Sequence, residues 1–299
     1  MEKKLLTIIT LLFISISFGQ KLDSIPYDYG SLYYHTYGQG EEILILSGGP
    51  GNNAMQLEKV ATTLSSNNRI ILLEQRGTGR STPVKIDKST VSIDSALNDI
   101  NLVLDNLKID KIVLLGHSYG VSLASIFASK YPERVKKLIL VSPGTFDFDS
   151  AWVALCNIAS KLGTQENLKW ESLYSKSFTS NFSETEKKEL KHLSRLAYVY
   201  NKSRIDYYLP LINGNQNIET NYILSTELLN YNFNLKIDLE NINSPIHIIS
   251  GRQDIFSFMT YEYKIARPDI EIHWIDESGH FPMYEQPKVF YSIIEKILE

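Results

Sequence analysis

The chain has 299 residues, 43% of them hydrophobic, which is enough for one large core with or without an insertion. A formal net charge of -4 leaves no basic surplus for nucleic-acid binding. The single cysteine, Cys156, excludes an intramolecular disulfide, so the fold must be held by its core alone.

Lys3 and Lys4 precede an apolar run from Leu5 to Ile16, and Ser17-Phe18-Gly19 then precedes Gln20. A charged start, a short apolar run and small residues at the -3 and -1 positions predict a signal peptide over residues 1–19. The run is too short for a transmembrane helix, which needs about 20 apolar residues. Export to the periplasm or the medium is therefore expected, with no membrane span after cleavage. An uncleaved interfacial anchor or a buried first helix is the alternative.

From Gly30 to Val141 short apolar runs alternate with helical patterns. Leu32 to Tyr37 and Glu42 to Leu46 read as strands. Ile70 to Leu73, Ile112 to Leu115 and Lys137 to Val141 are nearly continuous aliphatic runs, as expected for strands covered on both faces. Helical patterns fall near 55–65, 93–107 and 121–130. This alternation predicts an α/β architecture: a mostly parallel sheet with helices on both faces.

The alternation stops at Ser142-Pro143-Gly144. Residues 145–235 are rich in tyrosine, asparagine and lysine, and their pattern is mainly helical. Cys156 falls here, in the apolar stretch AWVALCNIA, and reads as a small buried side chain. Strand patterns resume at Ile246 to Ile249 and Ile272 to Ile275, and a terminal helix starts at Pro287. The simplest account is a core of residues 20–144 and 236–299 with a helical insertion, 145–235, above the carboxyl ends of the strands.

Gly116-His117-Ser118-Tyr119-Gly120 follows the run IVLL and precedes a helix. Gly-x-Ser-x-Gly in a strand–turn–helix setting predicts a nucleophile elbow with Ser118 at its tip. The alternative is a plain turn with an exposed serine. A serine hydroxyl needs a base. His35, His247 and His273 alternate with apolar residues inside strand patterns and read as structural. The side chain of His117 is expected to leave the turn in another direction, and His192 lies in the polar insertion. His280, in the loop after the last strand, is placed to meet Ser118.

The base needs a carboxylate to fix its tautomer. Asp254, in the loop after the strand IHIIS, fits that part, with a turn-capping role as its alternative. Asp276 is close in sequence to His280, and Asp147 is kept as a rival. An oxyanion needs preorganised N–H donors. Tyr119, next after the nucleophile, offers one, and Gly49 in the cluster Ser47-Gly48-Gly49-Pro50-Gly51 offers the other. Neither this cluster nor Gly77-Thr78-Gly79-Arg80-Ser81 has the lysine of a phosphate-binding loop.

From about Tyr33 onward the chain resembles the α/β-hydrolase superfamily and, more narrowly, the proline iminopeptidase family of serine peptidases. SGGPG at 47–51, EQRGTGRS at 74–81, GHSYG at 116–120, GRQD at 251–254 and SGH at 278–280 carry the likeness. Ser47 and Glu74 stand where the family has histidine and aspartate, and His117 and Tyr119 where it has glycine and tryptophan. The resemblance implies an α/β-hydrolase fold with a helical cap and the order Ser118, Asp254, His280 for the catalytic triad. It implies a carboxylate under the cap for the substrate's ammonium, and Glu219 is the candidate. The expected activity is a serine hydrolase releasing N-terminal proline or another residue from short peptides, with no metal or cofactor. The alternatives are an esterase or other small-acyl hydrolase, and a non-catalytic binding protein on the same scaffold.

Overall fold

The computed structural model describes residues 20–144, 150–212, 214–230 and 235–299. The predicted signal segment, 1–19, and the rival acid Asp147 lie outside the described residues.

Eight strands form one sheet: β1 (Lys21–Tyr27), β2 (Gly30–Tyr37), β3 (Glu41–Leu46), β4 (Asn68–Leu73), β5 (Ile112–His117), β6 (Val135–Val141), β7 (Ile246–Gly251) and β8 (Glu271–Ile275). Their order is β1-β2-β4-β3-β5-β6-β7-β8. β2 runs antiparallel to both β1 and β4, and every other pairing is parallel. The chain turns back from β4 to β5 across β3, so the topological switch lies between β3 and β5. Open α/β sheets bind ligands at the carboxyl ends of such a pair.

Helices α1 (Glu58–Leu64), α2 (Ile93–Leu107) and α3 (Tyr119–Lys130) alternate with the first parallel strands. Between β6 and β7 come α4 (Ser150–Lys161), α5 (Thr164–Lys176), α6 (Glu184–Tyr198), α7 (Ile205–Ile212), α8 (Ile218–Asn230) and α9 (Leu235–Glu240). No strand falls between β6 and β7 among the described residues. Then α10 (Thr260–Ala266) joins β7 to β8, and α11 (Pro282–Glu285) and α12 (Pro287–Leu298) close the chain. Local signals set several ends. The Ser92 hydroxyl accepts from the Ser95 N–H at 3.0 Å to start α2, and Ser183 with Glu186 forms the same box at α6. Lys108, at φ 57°, ends α2 in the left-handed conformation.

Period-two alternation divides the core between the two faces of the sheet. Leu44, Leu46, Leu114 and Leu140 pack with α2 and α3 on one face. Ile43, Ile45, Val113, Leu115 and Ile139 pack with α1 and α12 on the other. Each such fully buried aliphatic side chain contributes about 1.5–3 kcal/mol of transfer free energy, which fixes the strands and therefore the loops at their carboxyl ends. Cys156 is exposed on α4, because that helix turns its cysteine away from the apolar side that carries Ala154 and Ile158. Among the described residues no helix is long and apolar enough to cross a membrane.

Candidate active site

Ser118 stands between β5 and α3 with φ 54° and ψ -117°. That conformation costs a non-glycine residue about 1–3 kcal/mol and is held by its surroundings. The Ser118 N–H donates to the Val141 carbonyl of the neighbouring strand at 3.0 Å. The flanking glycines make room for the close crossing. A Cβ on Gly116 would meet the Gly120 carbonyl oxygen at 2.3 Å, and one on Gly120 the Leu46 carbonyl oxygen at 2.2 Å. The hydroxyl is thus fixed at the N-terminal end of α3, whose dipole favours developing negative charge.

The Ser118 Oγ lies 2.9 Å from His280 Nε2, and His280 Nδ1 lies 2.8 Å from Asp254 Oδ2. The two partners of this second contact are almost wholly buried. The other oxygen of Asp254 accepts the Phe256 N–H at 3.1 Å. Asp276 instead pairs with Arg252 on the surface and takes no part in the contact with His280. Both loops that bring these residues in follow directly from β7 and β8, so the parallel register of those strands sets the distance between Asp254 and His280.

Gly48 and Gly49 line the cavity that Ser118 opens into, a space of about 230 Å³. Gly49 has φ 50°, a conformation that favours glycine. A Cβ on Gly48 would stand 2.8 Å from Ser118 Cβ, so the glycine cluster is pressed against the elbow. Tyr119 is the first residue of α3, where a backbone N–H has no intrahelical acceptor. Two of the residues that depart from the family pattern, Ser47 and Glu74, are internally partnered. Gln75 Nε2 donates to the Ser47 carbonyl and hydroxyl, each at 2.9 Å. Buried Glu74 meets His35 Nε2 at 2.7 Å and accepts the Arg80 N–H at 2.6 Å. Arg76 forks onto Asp99 at 2.9 and 2.5 Å.

Residues between β6 and β7 line the cavity's other wall: Arg195 and Tyr198 from α6, Gln216 from the segment before α8, and Asn221 from α8. Glu219 is not brought to it. It is exposed on the first turn of α8, and Asn221 takes the inward direction. Two residues along a helix differ by about 200° in direction, so 219 and 221 face opposite ways. Thr220 between them bonds the Gly77 carbonyl at 2.9 Å and fixes the helix in that phase.

Arg195 has no carboxylate partner among the described residues. Its guanidinium stands 5.4 Å from the Tyr198 ring, and loss of hydration lowers its pKa. Lys187, Lys191 and Arg195 line an adjoining pocket of about 360 Å³ that shares Arg195, Tyr198 and Gln216 with the cavity. Their spacing of four residues puts all three on one face of α6. Partial burial, and then Arg195, lower the pKa of Lys191.

His117 and Glu285 are two further residues that the sequence did not point to. His117 lines the cavity after all, because its Nε2 donates to the backbone carbonyl of His280 at 3.0 Å and draws the ring inward. Its buried Nδ1 has no hydrogen-bond partner among the described residues. Burial, aided by His280, lowers its pKa to about 3. Glu285 accepts the Gly279 N–H at 2.8 Å and the Tyr200 N–H at 2.7 Å, joining the His280 loop to the end of α6. Burial raises its pKa to about 7 against the pull of those donors.

Residues 42–287 match the model of the alpha/beta hydrolase fold family. The chain is 24% identical over 278 residues to the proline iminopeptidase of Heyndrickxia coagulans, covering 87% of this chain and 91% of that one. It is equally 24% identical over 270 residues to the 2-hydroxy-6-oxononadienedioate/2-hydroxy-6-oxononatrienedioate hydrolase of Comamonas testosteroni, covering 87% and 88%. Among solved structures, a proline iminopeptidase-related protein of Thermus thermophilus superposes with a TM-score of 0.69 at 21% identity, over 94% of this chain and 97% of that one. By its sequence and by its sheet, this chain belongs to the alpha/beta hydrolase fold family.

Proposed function

We propose that this protein is a serine hydrolase of small acyl substrates that carry a carboxylate. The observation behind the substrate class is Arg195, a guanidinium without a carboxylate partner among the described residues, in the cavity that holds Ser118. A half-buried cation without a carboxylate partner among the described residues is costly, and an anionic ligand offsets that cost. Lys191 extends the positive face outward and raises the local concentration of anions. The volume of about 230 Å³ is smaller than the roughly 300–1,000 Å³ of drug-sized ligand sites and suits a small molecule.

In this reading Ser118 Oγ attacks the substrate carbonyl while His280 Nε2 takes its proton. Asp254 holds the Nδ1–H and stabilises the imidazolium. The N–H groups of Gly49 and Tyr119 receive the oxyanion. His280 then protonates the leaving group, and the acyl-serine is released by a water that His280 deprotonates. One relative is named for dioate substrates, which agrees with the cation in the cavity.

A second reading, release of N-terminal proline from short peptides, is favoured by the kinship with proline iminopeptidases and by the motifs at 47–51 and 74–81. It requires an anchor for the substrate's ammonium. Asn52, Gln56, Gln216 and Asn221 offer amide oxygens at the cavity wall in place of a carboxylate.

Hydrolysis of the p-nitrophenyl monoester of glutaric acid, of p-nitrophenyl butyrate and of proline naphthylamide separates the readings. The proposal predicts the largest kcat/KM for the glutarate ester. It also predicts that Arg195→Gln lowers that value at least about tenfold while changing butyrate turnover little. Equal loss on both esters, or a preference for proline naphthylamide, overturns the carboxylate assignment.

The N-terminal segment supports export with cleavage after Gly19. An exported chain whose mass begins at Gln20 agrees with this reading, and an exported chain retaining residues 1–19 contradicts the cleavage.

A further inference from the structure

His247, Glu271 and His273 sit together at the amino ends of β7 and β8, the rim opposite the loops that carry Asp254 and His280. The parallel register explains the grouping. His247 pairs with Glu271, and Ile249 pairs with His273. Positions 271 and 273 therefore share a face of β8, and 247 stands beside them on β7. This is the face that carries Ile249 and Ile275 and that α12 covers. The arrangement depends on nothing in the catalytic site.

Glu271 Oε2 lies 3.3 Å from His247 Nδ1, and its Oε1 lies 3.8 Å from His273 Nε2. One ligand atom from each of the three side chains can be chosen so that all three lie within 4.8 Å of one another. Among the described residues neither of these ring nitrogens makes a hydrogen bond of good geometry, although both are shielded from water. Two screened imidazole nitrogens beside one carboxylate, without a hydrogen bond of good geometry among the described residues, form an incomplete polar cluster. Glu271 itself is largely exposed, so the side of the cluster away from the sheet is open to solvent.

We infer that His247, Glu271 and His273 form a binding site for one divalent transition-metal ion of the zinc class. Two imidazoles and one carboxylate are a donor set that suits zinc and leaves a fourth, solvent-facing position. Tetrahedral zinc with bonds of about 2.0–2.1 Å spaces its ligands about 3.4 Å apart. Each imidazole already lies near that spacing from one oxygen of Glu271, His247 at 3.3 Å from Oε2 and His273 at 3.8 Å from Oε1. The widest gap, at most 4.8 Å, closes by about 1.4 Å through side-chain rotation. Lys137 is the cation facing His247, and its ammonium is engaged by the Ile297 carbonyl. A bound ion ties the edge strand β8 to β7. It therefore steadies the two strands that lead to His280 and Asp254 without touching the substrate.

The test uses the full chain freed of metal with a chelator. Titration calorimetry with zinc chloride is expected to show one ion per chain, and the thermal midpoint to rise with zinc but not with magnesium. His273→Gln and, separately, the surface change Glu271→Gln are each expected to weaken zinc binding at least about tenfold. Their metal-free midpoints remain close to that of the unaltered chain. Zinc binding of unchanged strength in both variants overturns the site, as does the absence of binding in the unaltered chain. Ser118→Ala serves as a control and is expected to bind zinc as the unaltered chain does.

Discussion

His117 Nε2 donates to the main-chain carbonyl of His280 at 3.0 Å, so the residue before the nucleophile holds the loop of the base. The ring is neutral in the fold, with its pKa lowered to about 3 chiefly by burial. Unfolded histidine takes up its proton near pH 6.5. Below 6.5 the unfolded chain therefore binds more protons, and the stability contributed here falls as pH drops from 6.5 toward 3. His117→Asn removes that dependence. The stability advantage of the unaltered chain over the variant should shrink on acidification by up to about 1.4 kcal/mol per pH unit. Urea unfolding of both chains between pH 7 and 4 checks this. An advantage that stays constant over that range contradicts a buried neutral imidazole.

Glu285 acts in the opposite sense. Its carboxyl pKa is raised to about 7 in the fold, chiefly by burial, above the ordinary 4.5. Between these values the folded chain binds more protons, so this group costs stability as pH rises from 4.5 through 7. The full cost is on the order of 3 kcal/mol. Glu285→Gln should therefore gain stability relative to the unaltered chain as pH increases from 5 to 8, even though it loses one of the bonds to Gly279 or Tyr200. A relative stability that is flat over that range contradicts the assignment.

Gly116→Ala sets a methyl 2.3 Å from the Gly120 carbonyl oxygen, where strand and helix backbones cross. Neither backbone can yield cheaply, so a loss of roughly 3 kcal/mol is expected. Gly163→Ala is the control, since its nearest neighbour is the flexible end of Glu166 at 3.5 Å. Thermal or urea midpoints read both. Equal midpoints contradict the tight crossing.

Glu219→Gln should change ester and proline naphthylamide turnover less than about twofold, because side chains exposed away from a site contribute little to it. Its position on the outer face of α8 motivates this expectation. Selective loss of naphthylamide hydrolysis contradicts it and restores Glu219 as the ammonium anchor.

The parallel half of the sheet was legible because strands covered on both faces must be apolar almost throughout, as Ile43–Leu46 and Ile112–Leu115 are. β1 was not. In KLDSIPY only Ile25 is buried, and Pro26 argues against a strand. An antiparallel edge needs little apolar surface, and so it leaves little pattern. Ser118, Asp254 and His280 could be read because each follows a recognisable strand, and that placement brings their side chains into hydrogen-bond contact. Arg195 carried no such mark. It sits among the lysines and glutamates of α6, and only its place in the wall of the cavity that holds Ser118 separates it from ordinary surface charge. Helical phase alone could have set Glu219 apart from Asn221, had the start of α8 been known.

The most direct test is covalent labelling of the nucleophile. A fluorophosphonate reacts with a serine only where a base removes its proton and N–H donors receive the phosphoryl oxygen. Peptide mass mapping after reaction should find one adduct, on Ser118, absent in Ser118→Ala and formed at least about a thousandfold more slowly in His280→Ala. A chain that stays unlabelled, or that carries the adduct on another residue, contradicts the proposal that Ser118, His280 and Asp254 act together.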